Sequence, residues 1–175
     1  EMSSDNQPQI SSETDMTFEG LLAFIDPIRS DAEQSIKNLA NLGVIFNLVT
    51  GDSLFVAKSM SAKVGMSGFG ILTGSQIDTL SQQELENQCL DYRIFAEVAP
   101  LQKERIVLAL KSRGHSVGVL GDGINDAAAL NAADVGISVD TGVDIAKQAA
   151  SIVLLEHSLG VVVEGVKLGR RIFAN

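Results

Sequence analysis

The chain has 175 residues, of which 45 % are apolar and 20 % charged, which suits one globular domain with its own core and excludes a low-hydropathy disordered polymer. Its net charge is −9 and its pI about 4.6. Nucleic acid is therefore excluded as a partner, because its binders carry a basic face, and a cation or a cationic partner fits better. The single cysteine, Cys89, excludes an intrachain disulfide and reads as a small core residue.

Residues 1–16 are polar, rich in Ser, Gln, Asp and Glu, and read as a disordered stretch or linker. They lack the basic start and apolar centre of a signal peptide. Thr17 to Ile25 is a short apolar strand ending in the turn signal Asp26-Pro27. Ser30 and Glu33 form a capping box, and a helix follows on Ile36, Leu39 and Ala40 until Gly43. Val44 to Val49 is a near-continuous apolar run, the pattern of a buried parallel strand, and it leads into Thr50-Gly51-Asp52. A helix from Ser53 closes near Gly65. Gly70 to Thr73 is a short strand, and the Ser81/Glu84 capping box opens a helix to about Leu90.

Arg93 to Val98 is the next strand, and Pro100 suits a first helical turn that also holds Lys103. That helix runs to Arg113 and stops at Gly114. Ser116 to Leu120 is a strand, Val135 to Val139 and Ser151 to Leu155 are two more, and Thr141 to Ala150 is the helix between them. Leu159 to Asn175 is helical. The most apolar tail segment, Ser151 to Val166, is broken by Glu156, His157 and Glu164, so no stretch reaches the ~18 apolar residues that span a bilayer. His115 and His157 show no metal-ligand spacing and read as surface or loop residues. Alternating strands and helices predict an α/β fold with a mainly parallel sheet and helices on both faces.

The chemistry gathers around Gly121-Asp122-Gly123-Ile124-Asn125-Asp126. Two carboxylates, Asp122 and Asp126, stand four residues apart just past a predicted strand, on the sheet edge where open α/β folds bind ligands. Gly121 and Gly123 let the backbone turn sharply and approach a ligand closely. Hard oxygen ligands in a short turn suit Mg²⁺, which takes one or two carboxylates plus phosphate and water. A simple N-cap would explain Asp122 alone but not both carboxylates with Asn125 between them. A dinucleotide fingerprint fails because Asp126 occupies the place of its third glycine.

Thr50-Gly51-Asp52 and Lys103 fall on the same predicted rim. A hydroxyl, backbone N–H groups, an ammonium and two carboxylates are what phosphoryl transfer needs, because its catalysis is mostly positioning and charge stabilisation. Thr50 and Gly51 are then candidate phosphate holders, Lys103 a neutralising point charge, Asp122 the metal ligand and Asn125 an orienting amide. Taken singly, Thr50 could merely end a strand, Lys103 could be a solvated surface lysine, and Asp126 could be a first-turn residue favoured by the helix dipole.

In this order the segments resemble the haloacid-dehalogenase superfamily, and more narrowly the phosphorylation domain of P-type cation-transporting ATPases. The match runs through Asp26-Pro27 and Arg29, Thr50-Gly51-Asp52, Ala99-Pro100-Leu101-Gln102-Lys103 and Gly121 to Ala127. It continues through Ala133 to Asp140, Asp144-Ile145-Ala146-Lys147 and Ser151 to Glu156, covering about residues 17–175. The wording Ile137-Ser138-Val139-Asp140 and Leu154-Leu155-Glu156-His157-Ser158-Leu159 is most similar to the magnesium-transporting branch.

The resemblance implies a three-layer Rossmannoid domain, with residues 17–175 as its C-terminal part. It implies an ATP-driven pump in which an aspartate is phosphorylated and Mg²⁺ bridges that aspartate, the phosphate and Asp122. Asp126 and Asn125 would support metal and phosphate. Thr50 and Gly51 would hold phosphate oxygens, Lys103 would stabilise their charge, and Asp52 would order its loop. ATP would be bound mainly elsewhere in the pump.

Two features depart from the family. Its nucleophile motif, Asp-Lys-Thr-Gly-Thr, does not occur; Asp140-Thr141-Gly142-Val143 follows the metal motif and lacks the lysine. Ala128 stands where the family usually has proline. The expectation is a soluble, cytoplasmic half-site, inactive alone. It would depend on partners within a multi-pass membrane pump: the nucleophile strand, a nucleotide-binding domain, an actuator domain and the membrane helices. The alternatives are a non-catalytic half domain that binds Mg²⁺ or regulates a full-length pump, and a free-standing phosphatase of the same superfamily.

Overall fold

The computed structural model describes residues 17–20, 22, 28–156 and 158–173. The linker expected over residues 1–16, the turn at Asp26-Pro27 and His157 lie outside the described residues. So does most of the strand expected over Thr17 to Ile25, and Thr17 to Gly20 carry no strand.

The elements run α1 (Ala32–Asn41), β1 (Leu48–Val49), α2 (Leu54–Lys63), β2 (Gly70–Thr73), α3 (Gly74–Thr79), α4 (Gln82–Gln88), β3 (Tyr92–Ala96) and α5 (Pro100–Ser112). Then come β4 (Gly118–Leu120), a 3-10 turn (Ile124–Asp126), α6 (Ala127–Ala132), β5 (Val135–Val139), α7 (Asp144–Ala149), β6 (Ile152–Leu154) and α8 (Leu159–Phe173). All described strand pairs are parallel, as helical crossovers between consecutive strands require. The expected single sheet is replaced by two of three strands, ordered β1-β3-β2 and β4-β5-β6. Among the described residues β1 and β4 have no partner on their outer edges.

The central strand β3 buries Ile94, Phe95 and Ala96 in succession, which only a strand covered on both faces can do. Phe95 packs into one core with Leu72, Ile77, Leu85 and Ile106, the last three from α3, α4 and α5. Ile94 and Ala96 pack into a second core with Ala32, Ala57 and Met66, on the side of α1 and α2. Cys89 is fully buried in the first core, and burial pushes its thiol pKa up.

Helix ends follow the sequence closely. Gly43, Gly65 and Gly114 stand just past α1, α2 and α5 with φ of 70°, 77° and 82°, the left-handed conformation that closes a helix cheaply for glycine alone. The Ser81/Glu84 box forms reciprocally, with Ser81 N–H donating to Glu84 Oε2 at 2.8 Å. The box expected at Ser30/Glu33 does not form. Asp31 is the N-cap of α1, and its carboxylate turns instead to Arg29 and to the Ser158 hydroxyl, which donates at 2.6 Å. That contact ties α1 to the start of α8, so a tertiary partner outcompetes the local cap. A box at Thr73/Gln76 opens the short helix α3, which the periodicity reading passes over.

Candidate functional site

The C-terminal ends of β1 and β4 open onto one cleft of about 520 Å³. Thr50, Gly51, Asp52, Lys103, Asp122, Asn125 and Asp126 all line it, with Val49, Leu120 and Gly121. The structure thus brings together every candidate residue that the sequence scatters over more than seventy positions.

The Thr50-Gly51-Asp52 loop is stitched to the end of β3. Thr50 N–H donates to the Phe95 carbonyl at 2.9 Å, and Val98 N–H donates back to the Thr50 carbonyl at 3.0 Å. Within the loop the Thr50 hydroxyl donates to Asp52 Oδ2 at 2.8 Å and accepts from Asp52 N–H at 3.1 Å. Asp52 thereby fixes the rotamer of Thr50 and presents its hydroxyl at the cleft.

Lys103 is not the solvated surface lysine that its isolated sequence context allows. Its side chain is 9 % exposed, and Nζ donates to Asp126 Oδ1 at 2.7 Å; the Asp126 side chain is 15 % exposed. The other Asp126 oxygen accepts the Gly123 N–H at 3.1 Å, closing the turn before α6. Both Asp126 oxygens therefore take protein donors and leave only their second lone pairs for a metal. Asp122 differs: it is exposed in the cleft, and no described residue donates to its carboxylate.

Neither glycine of the turn has a left-handed backbone; Gly121 is required for space, and Gly123 spares the Asn125 side chain from moving. A Cβ on Gly121 would lie 2.5 Å from the Asp126 Cβ, and one on Gly123 would lie 2.2 Å from the Asn125 Oδ1. Side chains a few positions further on fold back over bare backbone, so both carboxylates reach one cleft.

The motif strand is anchored at its other end by Asp134. Its Oδ2 accepts the Val117 N–H at 2.8 Å, and its Oδ1 pairs with Lys111 Nζ at 3.0 Å. The Val117 amide first, and Lys111 second, hold the Asp134 carboxyl below the usual carboxylate range. A depressed folded pKa contributes stability that is present above the unfolded value of about 3.9 and is lost as pH falls through the folded one. Asp134→Ala is therefore expected to lower the urea midpoint at pH 7, with the gap to wild type closing as pH falls below the unfolded value and through the lower folded one. A gap that is independent of pH would mean the carboxylate charge contributes nothing there.

The donor set fits Mg²⁺. One carboxylate without a protein partner, beside a hydroxyl, a loop of backbone amides and an ammonium, matches a cation that keeps waters and shares phosphate oxygens. Among the described residues there is no cluster of three or more His, Cys, Asp or Glu side chains that could hold a metal. Sequence reasoning missed the Lys103–Asp126 pairing, and a separation of 23 positions left no local signal for it.

Comparison with known proteins agrees with this chemistry. A family model described as hydrolase, haloacid dehalogenase-like hydrolase, matches residues 4–134. The chain is 49 % identical over 167 residues to a protein named magnesium-transporting ATPase, P-type 1, of Escherichia coli K12, covering 95 % of the chain and 19 % of that protein. It is 38 % identical to a calcium-transporting ATPase of Bacillus subtilis, over 93 % of the chain and 19 % of that protein. The crystal structure of a zinc-transporting PIB-type ATPase in its E2.Pi state superposes with a TM-score of 0.67 at 28 % identity, covering 85 % of the chain and 20 % of that one. The chain thus spans about a fifth of the length of these relatives. No described helix is long and apolar enough to cross a membrane. By sequence and fold, the chain belongs to the haloacid dehalogenase-like hydrolases, and it matches about a fifth of the length of P-type cation-transporting ATPases.

Proposed function

We propose that the chain supplies the Mg²⁺ and phosphate half of the aspartyl-phosphate site in an ATP-driven P-type pump, with Mg²⁺ as the transported ion. The observation that carries this reading is the single cleft lined by Thr50, Gly51, Lys103, Asp122 and Asn125. The choice of ion draws on the names of the magnesium-transporting relatives, which stand at higher identity than the calcium-transporting one.

Each residue then has a role that follows from its surroundings. Asp122, with no donor among the described residues, would hold the resident Mg²⁺, and Asp126 would add to that shell through its remaining lone pairs. When bound, Mg²⁺ neutralises phosphate charge and polarises its oxygens. Gly51 offers its N–H to a phosphate oxygen, and the Thr50 hydroxyl, whose proton goes to Asp52 Oδ2 in this structure, would turn that proton to phosphate while Asp52 N–H still holds its oxygen. Lys103, held by Asp126, places its positive charge at the cleft rather than in bulk water. Asn125 orients a phosphate oxygen or water through its amide.

The nucleophilic aspartate would enter on a further parallel strand between β1 and β4. The open outer edges of these two strands, and the cleft at their C-terminal ends, support that placement. ATP would be held mainly by a nucleotide-binding domain, with an actuator domain and membrane helices completing the pump.

The test joins the chain to a segment carrying the Asp-Lys-Thr-Gly-Thr motif and supplies labelled ATP with Mg²⁺. The expected product is an acid-stable, hydroxylamine-labile phosphoenzyme, with none on the chain alone. Stable label on the chain alone would refute this division of roles.

A further inference from the structure

Among the described residues Glu97 is the only non-glycine with a left-handed backbone, at φ 57°. Glycine adopts this conformation without steric cost and glutamate does not, so its side chain has to compensate for the strain. Two hydrogen bonds show what it does. The Glu97 N–H donates to the Asp52 carbonyl at 2.9 Å, and Glu97 Oε1 accepts the Leu54 N–H at 3.0 Å.

These contacts divide the labour of holding the Thr50-Gly51-Asp52 loop. The strand end at Phe95 and Val98 fixes the backbone of Thr50. Beyond Thr50, from Asp52 to Leu54, the described hydrogen bonds to distant segments run to Glu97 alone. Glu97 is itself confined: its carbonyl would lie 2.2 Å from a Cβ on Gly74, so that glycine lets α3 close tightly over it.

We infer that Glu97 is a positioning residue which holds the far half of the Thr50-Gly51-Asp52 loop in register with the cleft. The inference rests on the assignment of that loop to phosphate. Its left-handed backbone aims the N–H at one end of the loop while the carboxylate takes the first amide of α2. Losing the side chain frees the Leu54 end of the loop, with the backbone bond to the Asp52 carbonyl left in place, and touches no group that lines the cleft.

The experiment uses the chain with inorganic phosphate and Mg²⁺, and reads amide hydrogen exchange in its absence. Glu97→Gly relaxes the backbone and deletes the acceptor; Glu97→Gln keeps an acceptor oxygen. Glu97→Gly is expected to speed exchange at Leu54, whose amide loses its acceptor, and to weaken phosphate affinity, each by up to about tenfold, as for one lost hydrogen bond. Glu97→Gln returns both to within about twofold of wild type. Unchanged exchange and affinity in Glu97→Gly overturn the proposal. So does a lowered thermal midpoint with unchanged phosphate affinity, the signature of a residue that only caps α2. If the wild-type chain takes up no phosphate, the assignment of the loop fails, and the exchange measurement alone still decides whether Glu97 holds it.

Discussion

Asp122→Ala, placed in the joined protein that forms a phosphoenzyme, is expected to cut phosphorylation by at least about a hundredfold, and up to about a thousandfold. The argument is electrostatic. No described residue donates to the Asp122 carboxylate, so its charge is available to a divalent cation. Without it the cation loses its anchor, and the phosphate presents its charge to Lys103 alone. Stability should barely respond, within about 0.5 kcal/mol, because an exposed side chain with no partner holds nothing in the fold. The informative result is this split, with a urea midpoint near wild type and no labelled intermediate. Labelling at the wild-type rate would remove Asp122 from the metal site.

Lys103→Met is expected to have the largest effect on the fold itself. It strips the partner from Asp126, whose side chain is 15 % exposed, and leaves a carboxylate in a poorly hydrated place. Breaking a fully buried ion pair costs about 3–5 kcal/mol. Here the Gly123 amide still serves one Asp126 oxygen and the cleft admits some water, so about 2–3 kcal/mol is expected. Asp126→Asn added to Lys103→Met should recover part of that loss, since the stranded charge is then gone. Urea unfolding of the two single variants and the double variant measures the coupling. A Lys103→Met loss below about 0.5 kcal/mol would show the pair to be effectively solvated.

Most of the fold could be read from the chain because its signals are local. The strand Val135–Val139 falls where its alternation puts it, and the glycines past α1, α2 and α5 mark their ends. The misreadings share a cause, in that a partner distant in sequence decided the outcome. Val44, Ile45 and Phe46 carry the apolar pattern of a strand, yet only Leu48 and Val49 pair and Ile45 stays exposed, because pairing depends on a neighbouring strand that an apolar run does not record. Asp31 left its capping role for Ser158, which lies 127 positions away.

The site was legible as a set of residue types and less so as an arrangement. Thr50, Lys103 and Asp122 could be named because motifs at strand ends converge in parallel α/β folds. That Gly121 and Gly123 serve to admit the folded-back Asp126 and Asn125 side chains, and that Glu97 takes a left-handed backbone, needed coordinates. Neither feature has a signature in composition or period.

Every described strand pairs in parallel with a strand reached only through helices; Leu48, for instance, meets Ile94. No tight turn can therefore zip two such neighbours together, and each ladder must wait until a long loop has closed. Helices form early and cheaply in such a chain, while the search for distant strand partners sets the pace of folding. Until those loops close, the apolar strands of a newly synthesised copy stand open to chaperones and to one another.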